Sequence, residues 1–443
     1  MAATALDSYK HVDSQAAPHV AFLMGNLHTG GVQRMTNLLA NGLAEQGARV
    51  DLVVCDSRGG LNEQVAPALH LVTLARSNPI TARLAALRAD PGGVAAMLRP
   101  LLTLKYASPT LGYLPAMARY LQDARPDSLF SATSYLNIEA VLARRLAAVP
   151  TRLVLSDRSH FSSGKPRKAW RQRHLAAAMR RTYLQADAIT AVSNGVAADI
   201  AQSIGIPREA IITLYNPTIT PDFAARAGQP IDHPWFADGA PPVLLGVGRT
   251  TFQKDFATLL RAFAKTRADR PARLAIIGES NDKQAARLQS LAGELGVQDD
   301  FALLGYRANP LPYMARAAAF VLSSRYEGFP NVLLEALACG TPVVSTDCPS
   351  GPFEILDGGS FGTLVPVGDP DALAAAILAT LDAPPDPAHL EGRAAVFDYE
   401  TAIARYAEVL LGDRAGGLPL PVPPAGCKTM RQPAESVSLR PRA

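Results

Sequence analysis

Short apolar runs alternate with segments of helical spacing along most of the chain. The first run, 19–24, is followed by apolar residues at steps of three and four over 32–43 and by a second run, 49–54. This order predicts a strand, a helix and a strand. Further apolar runs occur at 152–155, 188–192, 243–247, 273–277, 319–322 and 342–345. Strands that alternate with helices form parallel sheets covered by helices, so we predict an α/β protein.

A proline-rich segment divides this pattern in two. Five prolines between residues 218 and 242 prevent a continuous helix or central strand there. We therefore predict two α/β domains, 18–220 and 243–397, joined by a linker at 221–242. The terminal segments 1–17 and 412–443 are predicted to be disordered, since neither has enough apolar residues to pack.

Composition excludes several classes of protein. The chain has 443 residues, 48% hydrophobic and 19% charged, which is enough to bury large cores. A net charge of +4 is too small to indicate a nucleic-acid partner. Four scattered cysteines have neither metal-ligand nor redox spacing, which favours the cytoplasm. No run approaches the roughly 20 apolar residues of a spanning helix, so any membrane contact is expected to be peripheral.

The most informative segment lies between residues 323 and 345. Glu327 and Gly328 follow an apolar run directly, and Pro330 suits the first turn of the next helix. Ligands of open parallel sheets bind at such strand ends, where the helix start offers free backbone N–H groups. Glu335 lies on that helix among apolar residues, so it either binds a partner or points into solvent.

This segment resembles the signature of the GT-B glycosyltransferases, specifically the retaining family commonly called family 4, or group 1. In that signature two glutamates are separated by seven residues, as Glu327 and Glu335 are here, and the likeness continues to Val344. The resemblance extends over about residues 19–411. It also includes the short motifs Gly30-Gly31, Tyr215–Pro217, Gly246–Arg249 with Lys254-Asp255, Ile276–Gly278 and Gly305–Arg307.

The resemblance implies a role for each matched residue. Arg249 and Lys254 would hold the donor diphosphate, Glu335 would accept hydrogen bonds from the ribose hydroxyls, and Glu327 would face the donor sugar. Cations suit this place because the leaving diphosphate gains negative charge in the transition state. Further donor-binding residues implied by the resemblance are Gly30, Gly31, Tyr306, Arg307, Gly328, Phe329, Pro330, Asn331 and Val332.

The resemblance also assigns roles to the domains. Residues 18–220 would bind the acceptor, residues 243–397 would bind the nucleotide sugar, and a helix at 398–411 would cross back to the first domain. The resemblance also implies that both domains are Rossmann-like and doubly wound and that they face a central cleft.

No metal or other cofactor is predicted beyond the donor substrate. Asp369-Pro-Asp371 matches a short acidic pattern of metal-dependent enzymes of another fold. It directly precedes an alanine-rich segment, however, and aspartate at a helix start is explained by capping.

A second group of candidate residues follows the predicted strand 152–155. Relatives place a catalytically helpful histidine near this point, and the sequence leaves open whether Arg158 or His160 takes that place. We predict His160 as the fourth catalytic residue beside Glu327, Arg249 and Lys254.

The segment 158–186 carries eight lysines or arginines and no acid, with apolar residues interleaved. Such a segment can rest on an anionic membrane or bind a diphosphate-linked lipid acceptor. The alternative is a solvated helix face in an arginine-rich protein.

Together these features predict a metal-independent, retaining hexosyltransferase. Its donor would be a nucleoside diphosphate sugar, with UDP favoured because UDP is the commonest donor nucleotide of the family. Its acceptor would be a hydroxyl of a lipid-linked or polysaccharide molecule in envelope or exopolysaccharide synthesis, at the cytoplasmic face of the plasma membrane. The alternatives are a nucleotide-sugar epimerase of the same architecture and an inactive, membrane-docked subunit that binds nucleotide sugar.

Overall fold

Two parallel β-sheets organise the protein. A computed structural model describes residues 17–28, 30–58, 65–97, 108–163 and 169–417. The first sheet has seven strands in the order β3-β2-β1-β4-β5-β6-β7. Its strands are β1 (His19–Asn26), β2 (Arg49–Asp56), β3 (His70–Thr73), β4 (Ser128–Ser131), β5 (Arg152–Asp157), β6 (Ala188–Ala191) and β7 (Ile211–Thr213). All of its strand pairs are parallel, with Val20 of β1 opposite Val50 and Ser128.

The second sheet repeats this plan. It has six strands in the order β10-β9-β8-β11-β12-β13, and every pair is parallel. The strands are β8 (Val243–Val247), β9 (Arg273–Ile277), β10 (Phe301–Gly305), β11 (Ala319–Leu322), β12 (Val343–Thr346) and β13 (Thr363–Val365). In both sheets the order of the strands reverses beside the first strand, β1 or β8, as it does in doubly wound sheets. The predicted α/β class with two such sheets is confirmed.

Helices cover both faces of each sheet, which explains why the strands read as continuous apolar runs. Those of the first half are α1 (Gly31–Glu45), α2 (Pro79–Ala89), α3 (Val94–Met97), α4 (Leu114–Ala124), α5 (Ser134–Ala147), α6 (Ala169–Tyr183) and α7 (Asn194–Ile204). A short helix, α8 (Phe223–Ala227), lies between the sheets. The second half contains α9 (Phe256–Asp269), α10 (Asp282–Glu294), α11 (Leu311–Ala315), α12 (Asn331–Ala338), α13 (Pro352–Ile355), α14 (Pro370–Asp382) and α15 (Pro387–Ala394). Asp369 caps α14 by accepting from the N–H groups of Asp371 and Ala372.

The last helix, α16 (Tyr399–Leu411), packs on the first sheet rather than the second. The Tyr406 ring meets the Phe130 ring edge-on at 6.0 Å, and Arg152 Nε donates to the Val409 carbonyl oxygen at 2.9 Å. The chain then continues as a 3-10 helix over Gly412–Gly417, in which Ala415 is buried. The predicted disordered tail is therefore wrong for residues 412–417, because Ala415 adds to the apolar core of the first sheet. Residues 1–16 and 418–443 lie outside the described residues.

Candidate functional site

The carboxyl ends of both sheets border one cleft of about 810 Å³. The half of the molecule built on the first sheet and the half built on the second sheet both contribute residues to its lining, because the two halves face each other. The lining includes every residue predicted to bind the donor: Gly30, Gly31, Arg249, Lys254, Tyr306, Arg307, Glu327, Gly328, Phe329, Pro330, Asn331, Val332 and Glu335. Residues separated by up to 305 positions in the sequence are thus brought together.

Glu327 and Lys254 form the central pair of the cleft. Lys254 Nζ lies 2.8 Å from Glu327 Oε1, and Ser324 Oγ donates to the same oxygen at 2.6 Å. Gln253 Nε2 donates to Glu327 Oε2 at 3.2 Å. Glu327 is buried, and a buried carboxylate persists where it is paired and hydrogen-bonded in this way. The pair places a fixed ammonium group and a fixed carboxylate at the end of β11.

Two glycines allow the backbone to form the floor of the cleft beside Arg249. Gly248 and Gly278 follow β8 and β9, and both have φ of 151°. A Cβ at Gly278 would lie 2.0 Å from the Gly248 carbonyl oxygen, so only glycine permits this approach. The Arg249 side chain is exposed and lines the cleft next to this floor.

Glu335 lies on α12 and is buried, with 2% of its surface exposed. Its charged neighbour comes from the opposite half: Arg34 Nη2, on α1, is 3.6 Å from Glu335 Oε1. Glu335 Oε2 has no hydrogen-bond partner among the described residues. The buried carboxylate therefore keeps acceptor capacity for a ligand in the cleft.

The loop before α12 is held by residues of the first half. Ser193 Oγ donates to the Gly328 carbonyl oxygen at 2.8 Å, and Asn216 Nδ2 donates to Asn331 Oδ1 at 2.8 Å. The Phe329 ring packs against Tyr215 with ring centroids 5.2 Å apart. These contacts determine where the loop lies within the cleft.

Arg158, not His160, reaches the cleft. Arg158 lines it, donates to Asn216 Oδ1 at 2.9 Å and to the Tyr406 hydroxyl at 3.1 Å, and lies over the Phe130 ring. His160 is absent from the lining; its Nδ1 is 3.3 Å from Asp199 Oδ2 and 2.9 Å from Ser163 Oγ. Burial lowers the pKa of His160, which Asp199 partly offsets. The structure thus does not bring His160 together with the other predicted catalytic residues.

The basic segment 158–186 covers the connection that follows β5 and the helix α6. Met179 and Leu175 of α6 are buried, so these two side chains offer no apolar surface to a lipid. Arg181 Nη2 donates to Asp90 Oδ1 at 2.7 Å, which consumes part of the segment's positive charge. Residues 164–168, which carry three of its basic side chains, lie outside the described residues.

Sequence reasoning missed Arg34, Gln253 and Ser324. Gln253 and Ser324 carry no distinctive pattern, although Gln253 directly precedes Lys254 and Ser324 lies three residues before Glu327. Arg34 follows Gly30-Gly31 within one helical turn. Only the arrangement of the two halves in the structure shows that it lies opposite Glu335. In the described part of the chain, no group of three or more His, Cys, Asp or Glu residues could hold a metal ion, and no helix is long and apolar enough to cross a membrane.

Two doubly wound parallel sheets that face a shared cleft, with the last helix packed on the first sheet, define the GT-B class of proteins. Within that class, two family descriptions match the chain. Glycosyltransferase Family 4 matches residues 29–220, and glycosyl transferases group 1 matches residues 241–383. The chain belongs to this glycosyltransferase family, as its resemblance predicted.

Several known proteins are similar to this chain. The N-acetylgalactosamine-N,N'-diacetylbacillosaminyl-diphospho-undecaprenol 4-alpha-N-acetylgalactosaminyltransferase of Campylobacter jejuni is 35% identical over 43% of this chain and 50% of its own length. The lipopolysaccharide core biosynthesis glycosyltransferase LpsE of Rhizobium meliloti is 34% identical over 43% of this chain and 53% of its own. The chain thus spans about half the length of these relatives. The structure of Anabaena HepE in complex with UDP-glucose shares the fold, with TM-score 0.68, 18% identity, and coverage of 88% of this chain and 99% of HepE.

Proposed function

We propose that this protein is a retaining glycosyltransferase that transfers a hexose-type sugar from a UDP-sugar to a hydroxyl of a lipid-linked or polysaccharide acceptor in envelope glycan synthesis. The observation that carries the proposal is the meeting of Arg249, the Lys254–Glu327 pair and the partly unsatisfied Glu335 in one cleft between the two halves. Family membership and the printed activities of the two relatives support it.

In this proposal the basic residues bind the leaving group. Lys254 and Arg249 hold the donor diphosphate, and both stabilise the charge that accumulates on it as the bond to the sugar breaks. Glu327 holds Lys254 in place at 2.8 Å and faces the sugar. Pre-set cations of this kind need no reorganisation during the reaction.

Glu335 and α12 bind the nucleoside part. A carboxylate accepts from both ribose hydroxyls, and the open Oε2 of Glu335 provides that capacity. The first turn of α12 adds free backbone N–H groups beside the phosphates. The choice of UDP follows the commonest donor of the family and the UDP-glucose seen in HepE.

The reaction needs no covalent nucleophile on the protein. The acceptor hydroxyl attacks the anomeric carbon from the face that the diphosphate leaves, so the configuration is retained. The bond from the anomeric carbon to the phosphate oxygen breaks, and the hydroxyl proton passes to the leaving phosphate. Arg158 lines the cleft, whereas His160 lies outside its lining, beside Asp199.

A diphosphate-linked lipid acceptor fits the name of the Campylobacter relative. Such an acceptor implies that the enzyme acts at the cytoplasmic face of the plasma membrane. The basic side chains of 158–186 would contact the membrane. Leu175 and Met179 of α6 would not take part, because both side chains are buried.

Calorimetric titration of UDP, GDP and ADP without added metal tests the nucleotide site. We expect UDP to bind the wild type and Glu335→Ala to bind it at least about tenfold more weakly, as loss of a charged hydrogen bond requires. Glu294→Ala removes an exposed glutamate from α10 and should leave affinity unchanged. If no nucleotide binds the wild type, the proposed function is wrong.

Release of UDP from a UDP-sugar then separates the alternatives. A transferase releases UDP only when an acceptor is present. An epimerase converts the sugar without an acceptor and releases no UDP. An inactive binding subunit does neither, so either of these results would overturn the proposed reaction.

A further inference from the structure

The pair formed by Arg34 and Glu335 spans the two halves of the molecule. Arg34 lies in the first turn of α1, which packs on the first sheet, and Glu335 lies on α12, which packs on the second. Both side chains line the cleft. The contact therefore exists only while the two halves face each other as they do in this structure.

The geometry of the pair balances charge without consuming hydrogen-bond acceptors. The 3.6 Å between Arg34 Nη2 and Glu335 Oε1 is longer than a hydrogen bond of this type. Glu335 Oε2 has no hydrogen-bond partner among the described residues. The carboxylate thus has a nearby positive charge and still offers its oxygens to hydroxyl donors.

Burial makes this compensation necessary. The Glu335 side chain is 3% exposed, and its neighbours on α12 are Leu334 and Ala336, which are also buried. An uncompensated carboxylate in such surroundings is strongly disfavoured. Arg34, at 34% exposure, supplies the charge from the opposite half while keeping its own contact with water.

We infer that Arg34 is a positioning residue for nucleotide binding: it acts through Glu335 and couples the affinity for the nucleotide to closure of the two halves. This inference rests on the proposed function, which places the ribose hydroxyls on Glu335. Coupling of this kind is reciprocal, so a nucleotide on Glu335 strengthens closure by the same factor by which closure strengthens nucleotide binding.

Calorimetry with UDP on Arg34→Gln, Arg34→Lys, Glu335→Gln and the double variant tests the coupling. We expect Arg34→Gln to weaken UDP binding about five- to tenfold, at the lower end of typical coupling factors. Arg34→Lys keeps the charge and should retain most of the affinity. The double variant should bind no more weakly than Glu335→Gln alone, because Arg34 acts only through that carboxylate. Arg119→Gln, an exposed arginine of α4, serves as the matched control.

Small-angle X-ray scattering gives a second measurement, the radius of gyration. A change in the nucleotide site alone, without a change in closure of the two halves, would leave this value unaltered. UDP should reduce the radius of gyration of the wild type and of Arg119→Gln, and should reduce that of Arg34→Gln less. The inference is overturned if Arg34→Gln binds UDP like the wild type, or if its effect and that of Glu335→Gln multiply in the double variant. Failure of the wild type to bind any of UDP, GDP and ADP overturns the proposed function itself, which separates the two failures.

Discussion

At the scale of single residues, the cleft depends on charges that are buried and paired. Lys254 and Glu327 illustrate this, because three donors converge on the Glu327 carboxylate. Removing one partner of a buried pair leaves the other charge uncompensated, which typically costs about 3 to 5 kcal/mol. The contribution of Lys254 to the stability of the protein can therefore be measured separately from its contribution to sugar transfer.

We expect Lys254→Ala to lower both the free energy of unfolding and sugar transfer. Stability should fall by about 3 kcal/mol, and kcat by about a hundredfold or more, because a fixed cation at the leaving group is lost. In Lys254→Ala/Glu327→Gln the carboxylate charge is gone, so stability should recover while transfer stays lost. Chemical denaturation and steady-state kinetics measure the two effects. Recovery of transfer in the double variant would contradict the role given to Lys254.

A second prediction concerns Asp157, which ends β5 directly before Arg158. Burial raises the pKa of Asp157 to about 7, although hydrogen bonds from Tyr183 and Ser134 partly oppose this. The folded protein therefore keeps this proton up to about pH 7, whereas the unfolded chain loses it near pH 4. Between these values the folded state binds more protons, so the free energy of unfolding falls as pH rises, by at most about 1.4 kcal/mol per pH unit.

Asp157→Asn removes this titration and keeps Oδ1, which accepts from Ser134 and Tyr183. We expect the variant to become progressively more stable than the wild type between about pH 4 and pH 7. Urea denaturation at several pH values measures the difference. An advantage of Asp157→Asn that does not change with pH would rule out titration of Asp157 as the cause.

At the scale of elements, the start of α7 binds the second half of the molecule. Glu354 of α13 accepts from the backbone N–H groups of Asn194 and Gly195, each at 2.9 Å. A carboxylate at a helix start is stabilised by the free N–H groups and by the helix dipole. Ser193, the N-cap of the same helix, donates to Gly328, so one helix start holds two segments of the opposite half.

We expect Glu354→Gln to destabilise the protein by about 1 to 2 kcal/mol, since one carboxylate–N–H bond and the charge–dipole interaction are lost. Glu209→Gln, an exposed glutamate of the same half as α7, should change stability little. Calorimetric unfolding compares the two variants. Equal stability of Glu354→Gln and the wild type would show that the contact contributes little to the association of the halves.

At the scale of the whole molecule, the close approach of the two halves requires glycine at position 328. A Cβ on Gly328 would lie 2.2 Å from the Arg158 carbonyl oxygen in the opposite half. Real Cβ atoms do not approach backbone this closely, so a larger residue forces the halves apart. The donor loop and the cleft wall can meet only because residue 328 is glycine.

We expect Gly328→Ala to increase the radius of gyration in solution scattering and to reduce sugar transfer about tenfold or more, while the protein stays folded. Reacting groups that are misplaced by about 1 Å lose about that much rate or more. Gly392→Ala is the matched control, because a Cβ there would meet no atom within 4 Å. An unchanged radius of gyration in Gly328→Ala would show that the loop, and not the whole half, absorbs the clash.

The sequence by itself determined the α/β class, both parallel sheets and most of the cleft. Apolar runs and helical spacing report directly which residues are buried. Glu327 and Gly328 directly follow such a run, so their loop lies at the end of a strand however the rest of the chain folds. The resemblance to family 4 glycosyltransferases implied thirteen donor-binding residues, and all thirteen line one cleft. The tertiary structure alone decided which residues meet across that cleft: Arg34 with Glu335, Ser193 with Gly328, and Arg158 in place of His160. Periodicity shows which face of a helix is buried, but it carries no information on how two separately folded sheets face each other. Such contacts depend on the packing of the whole interface between the two halves. The burial of Ala415 in the core of the first sheet was likewise not predicted from the proline- and glycine-rich sequence around it.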